Sequence, residues 1–236
     1  MDDPAGAGRA DLHIHPSGGG GDPGLPMAIY AAIRASGLQV AVLTDHDRIS
    51  VARELVARAR DDGLATELVV GEEISTRDGH LLGIGLSSRV SYGLTLGESV
   101  AIVHDQGGVA VVAHPLLPTS ISASGRLLLE LAEGDPARRP DALEAMHPTA
   151  MWLPGWRRRV ERLAERCEYA VVGGSDAHGA RSVGRVRTTF PGTTTAELVA
   201  SIRGRETRTE GQAHSLRDIF RGHQRRQSNE DPDPPD

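Results

Sequence analysis

A single cysteine, Cys167, occurs in the 236 residues. No internal disulfide is possible, and a reducing cytoplasm suits such a chain. Cys167 follows the helical run Arg162-Leu163-Ala164-Glu165-Arg166 and reads as a packed thiol rather than a reactive one. No stretch approaches the ~18 consecutive apolar residues of a membrane span. The start, Met1-Asp2-Asp3-Pro4-Ala5-Gly6, lacks the basic beginning and apolar core of a signal peptide. Positive charge is not in excess: 26 Lys+Arg against 32 Asp+Glu leave a net charge of −6. That balance argues against stable nucleic-acid binding, because phosphate backbones select basic surfaces. A phosphorylated substrate stays compatible, since bound cations reverse the field inside a pocket. No Gly-x-Ser-x-Gly elbow is present, which disfavours an esterase triad. No Gly-x-x-x-x-Gly-Lys-Ser/Thr is present either, and Gly18-Gly19-Gly20-Gly21 reads as a flexible loop rather than a phosphate cradle.

What the chain does have is a recurring pattern. Short apolar runs end in imidazoles and carboxylates: Ala10-Asp11-Leu12-His13-Ile14-His15, Val42-Leu43-Thr44-Asp45-His46, Val69-Val70-Gly71-Glu72-Glu73, Gly79-His80-Leu81-Leu82-Gly83, Val111-Val112-Ala113-His114-Pro115 and Gly174-Ser175-Asp176-Ala177-His178. Six of the ten histidines lie there. With 142–146 they make seven expected strands. Helical stretches are expected at 25–36, 50–62, 95–106, 123–133, 155–168 and 194–203. Strands alternating with helices imply βαβ units, and barrels of ~200–250 residues are common as one domain. Gly37, Gly63, Gly107-Gly108 and Gly204 follow helix candidates, where a left-handed C-cap favours glycine. The arginines Arg157, Arg158, Arg159, Arg162 and Arg166 alternate with Glu161 and Glu165 and read as a solvated helix face. The expected organisation is a flexible N-terminus at 1–8, an α/β barrel at 9–210, and a polar, disordered tail at 211–236 carrying exposed His214 and His223.

Strand geometry sorts the candidates. Residues two apart share a face, so His13 and His15 can bind one ion or two neighbouring ions, as can Asp176 and His178. Asp45 and His46 are adjacent and should diverge, with His46 on metal and Asp45 orienting an imidazole from behind. Spacing alone leaves Glu72 and Glu73 open. A mixed histidine and carboxylate set suits Mn²⁺, Fe²⁺ or Zn²⁺. So many ligands exceed the needs of one tetrahedral zinc, so two or three ions are expected. Such ions lower the pKa of a bridging water, and a bridging hydroxide attacking a phosphate ester is the natural chemistry. One histidine at a strand end is most often structural; six in successive elements are not. His104 reads as a surface residue, and His147 is open between site and scaffold.

At these residues the chain resembles the PHP (polymerase and histidinol phosphatase) family. The motifs are Asp11-Leu12-His13-Ile14-His15, Thr44-Asp45-His46-Asp47, Gly71-Glu72-Glu73-Ile74-Ser75, His80-Leu81-Leu82-Gly83, Ala113-His114-Pro115 and Ser175-Asp176-Ala177-His178-Gly179, in family order over about residues 9–209. The resemblance implies a distorted seven-stranded β/α barrel holding two or three metal ions. It implies His13, His15, His46, Glu73, His114, Asp176 and His178 as ligands, with Glu73 bridging and His80 as a further ligand. Asp11 and Asp45 look like supporting carboxylates. The family's Ser-Asp-Gly after the second histidine is replaced by Pro16-Ser17-Gly18-Gly19-Gly20-Gly21-Asp22-Pro23, which leaves Asp22 as the candidate for that ligand position.

The resulting expectation is a cytoplasmic metal-dependent phosphoesterase acting on a small phosphorylated metabolite or nucleotide. Arg48 and Arg181 are candidate phosphate clamps. Phosphodiester or 3′-end cleavage, and a catalytically silent metal-binding module, are the alternatives. Specificity should lie in loops at 115–124 and 148–154. Trp152 and Trp156, in or beside the second loop, read as packing the following helix rather than stacking on a base.

Overall fold

The computed structural model describes residues 7–18, 22–119 and 121–212. The strands are β1 (Ala7–Ile14), β2 (Val40–Leu43), β3 (Glu67–Thr76), β4 (Gly79–Ile84), β5 (Val109–Val112), β6 (Ala142–Met146), β7 (Ala170–Gly173), β8 (Val186–Pro191) and β9 (Arg208–Gly211). The helices are α1 (Leu25–Ala35), α2 (Ser50–Asp61), α3 (Leu96–Asp105), α4 (Gly125–Glu133), α5 (Trp156–Cys167) and α6 (Thr195–Gly204). All described strands form one sheet in the order β7-β6-β5-β4-β3-β2-β1-β8-β9. The sheet curls until its ends nearly meet. Thr188 Oγ1 exchanges hydrogen bonds with Gly173 N and O, each at 2.9 Å. Beyond β7, Ala177 N donates to His13 O, and His15 N donates to Ala177 O.

Among the described residues the strand count is nine rather than seven. β8 escapes a search for apolar runs because only Val186, Thr188 and Phe190 are buried in it, the alternation of a strand with one covered face. The sheet is also not uniformly parallel. β4 runs antiparallel to both β3 and β5, and β8 runs antiparallel to β1. The start of β4 therefore stands beside the far ends of its neighbours. That is why His80, at the beginning of its strand, reaches the same end of the barrel as His114, which follows its strand.

Alternation along the strands divides the core into an interior and an outer layer. Val40 and Val42 of β2, Leu82 and Ile84 of β4, and Val109 and Val111 of β5 share the interior with Leu12 and Val172. Their neighbours Ala41 and Leu43 face α1 and α2, while Leu81, Val112 and Leu143 face α3, α4 and α5. Each such fully buried aliphatic side chain contributes roughly 1.5–3 kcal/mol. Strict alternation would put residues 12 and 14 on one face, yet Leu12 is interior and Ile14 lies in the helix-facing layer. The register shift between Asp11 and Ile14 breaks the alternation there.

α3 and α6 each begin with a capping box, Thr95 with Glu98 and Thr194 with Glu197. Gly37, Gly63 and Gly107 take the left-handed conformation after their helices. After α6 that role falls to Arg205, at φ 58°, instead of Gly204. The Cys167 thiol is buried, and burial pushes its pKa up, as for a packed residue. Among the described residues no helix is long and apolar enough to cross a membrane. The strands begin at Ala7 and end at Gly211; the expected tail beyond residue 212, with His214 and His223, lies outside the described residues.

Candidate metal centre

Imidazoles and carboxylates from seven strand ends converge at one mouth of the barrel. Glu73 is the hub. Its Oε2 lies 3.1 Å from His13 Nε2, 3.1 Å from His15 Nε2 and 3.3 Å from His46 Nδ1. Its Oε1 lies 2.7 Å from His80 Nδ1 and 3.1 Å from His114 Nε2. Strand parity decides between the two glutamates. Residues 69, 71 and 73 face the interior, so Glu73 enters the cup. Glu72 points to the outer layer, where it accepts the Val90 N–H at 2.8 Å.

Asp176 is the second centre. Its Oδ1 lies 3.0 Å from His15 Nε2, 3.3 Å from His178 Nδ1 and 3.6 Å from His13 Nε2. Its Oδ2 lies 3.3 Å from His147 Nε2. The backbone there is left-handed, at φ 46°, as it nearly is at His114, at φ 31°. Strained backbone of this kind collects at functional sites. The His15 ring packs against His46 and His178 at centroid distances of 4.7 and 4.2 Å.

Of the expected ligands, His13, His15, His46, Glu73, His80, His114, Asp176 and His178 all meet in this cup. Asp22 does not. It is exposed, and its Oδ1 accepts the Gly24 N–H at 2.9 Å in the turn that opens α1. Asp45 diverges from His46 as expected, but its hydrogen bonds go to Ser17 rather than to an imidazole: Ser17 N at 2.9 Å and Ser17 Oγ at 2.6 Å. It thereby fixes the turn that follows His15. Asp11 accepts Ser175 N and Gly184 N at 2.9 and 2.8 Å, tying the Ser-Asp-Ala-His segment to β1. Arg48 and Arg181 are both exposed, the latter in a short 3-10 turn at Ala180–Ser182.

Two members were not assigned from sequence. His147 is buried against Asp176, and its ring lies 5.4 Å from that of His114. Glu144, wholly buried on β6, lies 3.1 Å from His13 Nδ1 and accepts the His114 N–H at 2.8 Å. The signal was there: a glutamate inside an apolar strand, two residues from inward Ala142. His104 turns out half-buried, paired with Asp141 at 2.9 Å. Trp156 is fully buried and donates from Nε1 to Pro115 O at 2.7 Å. Trp152 is 50% exposed, so helix packing describes only one of the two tryptophans.

Burial dominates the electrostatics, and the charges decide its outcome. At His46 burial wins and holds the imidazole down to about 3, with Glu73 opposing and His15, His80 and His178 reinforcing. At His15 burial is outweighed by Asp176 and Glu73, which lift it to about 9. Burial would raise Glu73 and Asp176, but the surrounding imidazoles hold both well below the carboxylate range.

The donor set fits divalent cations. Ligating atoms of His13, His15, Glu73 and Asp176 lie within 4.8 Å of one another, as do those of His46, Glu73 and His80, and those of His15, His46 and His178. The buried Nε2 atoms of His15 and His147 stand close to carboxylates without an aligned hydrogen bond. That is the arrangement a cation shared between them would satisfy. Glu73 belongs to two of these sets.

A family profile described as PHP-associated matches residues 154–207, which include Ser175-Asp176-Ala177-His178. An uncharacterized protein of Methanocaldococcus jannaschii is 29% identical over 129 residues, covering 50% of this chain and 74% of its own. PsfC from Pseudomonas syringae PB-5123 superposes with a TM-score of 0.68 at 19% identity, over 94% of this chain and 98% of its own. A two-domain protein from Bacteroides vulgatus containing a predicted PHP-like metal-dependent phosphoesterase gives a TM-score of 0.67 at 17% identity, over 94% and 71%. A lesion-specific endonuclease from Pyrococcus furiosus gives 0.58 at 16% identity, over 84% and 56%. At these identities the structural likenesses speak for the fold. Ordered motifs, barrel and the profile match over residues 154–207 all carry the chain's likeness to the PHP family.

Proposed function

We propose that the protein is a metal-dependent phosphoesterase that releases phosphate from a small phosphorylated metabolite or a nucleotide phosphomonoester. The observation that carries this reading is the meeting of seven histidines from six segments around Glu73 and Asp176. His13, His15, His46, His80, Glu73, His114, Asp176 and His178 would hold two or three divalent ions, of the Mn²⁺, Fe²⁺ or Zn²⁺ kind that this donor mixture favours. Such ions supply Lewis-acid polarisation of a phosphoryl group and a water that deprotonates near neutral pH.

The chain's own groups complete the site. Glu73 offers both oxygens, so one buried carboxylate fixes the spacing of everything around it. Asp45 holds Ser17 and so fixes the turn that follows His15. Arg181 follows His178 by three residues, and Arg48 follows His46 by two. Both are exposed, and their closeness in sequence to two ligands supports reading them as binders of non-bridging phosphate oxygens. The buried Cys167 thiol supports a cytoplasmic setting.

The likeness to the Pyrococcus endonuclease favours one second reading, cleavage of a phosphodiester. The net charge of −6 weighs against it. The test is a panel of phosphomonoesters and phosphodiesters, DNA included, assayed with Mn²⁺. Monoester turnover that disappears in His114→Ala is the expected result. Diester turnover alone supports the second reading. Silence on the whole panel by protein carrying its ions leaves a binding module instead.

A further inference from the structure

We infer that Glu144 is a positioning residue that sets two ligands of the metal cup at once, the side chain of His13 and the main chain of His114. The inference rests on the metal reading above. One oxygen lies 3.1 Å from His13 Nδ1, and the other accepts the His114 N–H at 2.8 Å. The carboxylate is fully buried in mid-strand on β6.

The two bonds act differently. A carboxylate facing Nδ1 keeps the proton on that nitrogen, which leaves the Nε2 lone pair aimed at Glu73 and Asp176. At His114 the bond holds a backbone with φ 31°, which a side-chain-bearing residue adopts only under constraint. That conformation brings His114 Nε2 to 3.1 Å from Glu73 Oε1. One carboxylate therefore couples β1 to the loop after β5, two segments whose ligands share Glu73.

Gly174 shows how tightly the arrangement is built. A Cβ there would stand 2.4 Å from His13 Cβ and 3.0 Å from Glu144 Oε1. His13 and Glu144 are both fully buried, out of reach of water, so an uncompensated loss at Glu144 is felt at both ligands.

Glu144→Gln keeps the volume but can accept only one of the two hydrogen bonds, because its NH2 meets either the His114 N–H or the Nδ1–H of His13 donor to donor, whichever way the amide is turned. Glu144→Asp keeps the charge and falls one methylene short. Zn²⁺ and Mn²⁺ affinities are read by competition with a chelator, and ions per chain at saturation by elemental analysis. We expect both variants to bind about 10–100-fold more weakly with the number of ions at saturation unchanged. In the Zn²⁺-loaded wild type, ¹⁵N spectra should show His13 protonated at Nδ1, with that proton slow to exchange and shifted downfield. This measurement stands even if a variant fails to fold.

Three results would overturn the inference. The first is variant affinity within about twofold of wild type, well short of the roughly 10–100-fold loss expected. The second is one ion fewer per chain with the rest bound as before, which would make Glu144 a ligand. The third is a metallated Nδ1 at His13. Wild-type protein that takes up neither ion sinks the metal reading itself, and this inference with it.

Discussion

Asp11 and Ser175 stand 164 positions apart in the chain, yet the Ser175 hydroxyl donates to Asp11 Oδ2 at 2.5 Å. The pair fastens the segment carrying Asp176 and His178 to the strand carrying His13 and His15. Asp11 also receives N–H groups from Ser175, Gly184 and His13. Burial lifts its pKa to about 6 against the pull of these donors. Ser175→Ala should cost about 1–3 kcal/mol, because a buried acceptor loses a donor. Urea unfolding should show an earlier midpoint at an unchanged slope; a midpoint that stays in place refutes the fastening role.

Glu72 predicts a pH dependence. Burial pushes its carboxyl from the ordinary 4.5 to about 7, the Val90 N–H pulling the other way and Asp47 adding to the rise. A raised folded-state value means that its contribution to stability is complete below about pH 4.5 and is lost as the pH climbs through about 7. Wild-type stability in chelator should therefore fall between roughly pH 5 and pH 8 by more than that of Glu72→Gln, which cannot ionise. Parallel curves for the two proteins would contradict this assignment.

Glu73→Gln should be the most damaging single change in the cup. Five imidazoles lie within 3.3 Å of its oxygens, and an amide brings N–H donors among them. Several kcal/mol of charge stabilisation corresponds to at least about 100-fold in rate. Elemental analysis should show fewer ions per chain, with phosphoesterase activity down by that factor. Full metal content and full activity would remove Glu73 from its central place.

The two candidate arginines are separated by kinetics. A charged hydrogen bond to phosphate is worth about 1.5–3 kcal/mol, so losing a clamp should raise KM roughly 10–100-fold. Arg181→Ala and Arg48→Ala are each assayed on a phosphomonoester. An arginine whose variant behaves as wild type has no part in the site.

Trp156→Phe tests the loop after His114. The change keeps an aromatic ring in the core and deletes the Nε1–H bond to Pro115 O. A loss of about 1 kcal/mol is expected, with a drop in kcat/KM if the loop carries His114 with it. Thermal melting and steady-state rates read the two effects separately, and intact rates would confine Trp156 to packing.

Much of this was legible in the chain because buried strands give long apolar signals and imidazoles at their ends are conspicuous. All six helices fall within about two residues of their expected bounds, since Leu55 and Val160 with their neighbours mark the covered faces clearly. The direction of β4 was not legible: Gly79-His80-Leu81-Leu82 reads the same in either sense, and only the tight turn from Thr76 reveals a hairpin. β8 was hidden by Arg187 and Thr189 on its open face. Glu144 carries no strand-end signal because it sits in the middle of β6, and Asp22 misleads because its loop differs in length from the family's. Contacts between distant segments, such as Asp11 with Ser175, leave no trace in spacing at all.

The reversed direction of β4 has an outcome for how this barrel can diversify. Its two-residue turn, Arg77-Asp78, lies at the open end beside His80 and Glu73 rather than at the closed base. Lengthening that turn would grow a new wall over the entrance while every backbone ladder below stayed paired. Such an insertion would have to keep or replace the bonds that tie the turn to the start of α3, from Arg77 N to Leu94 O and from Leu96 N to Asp78 Oδ2.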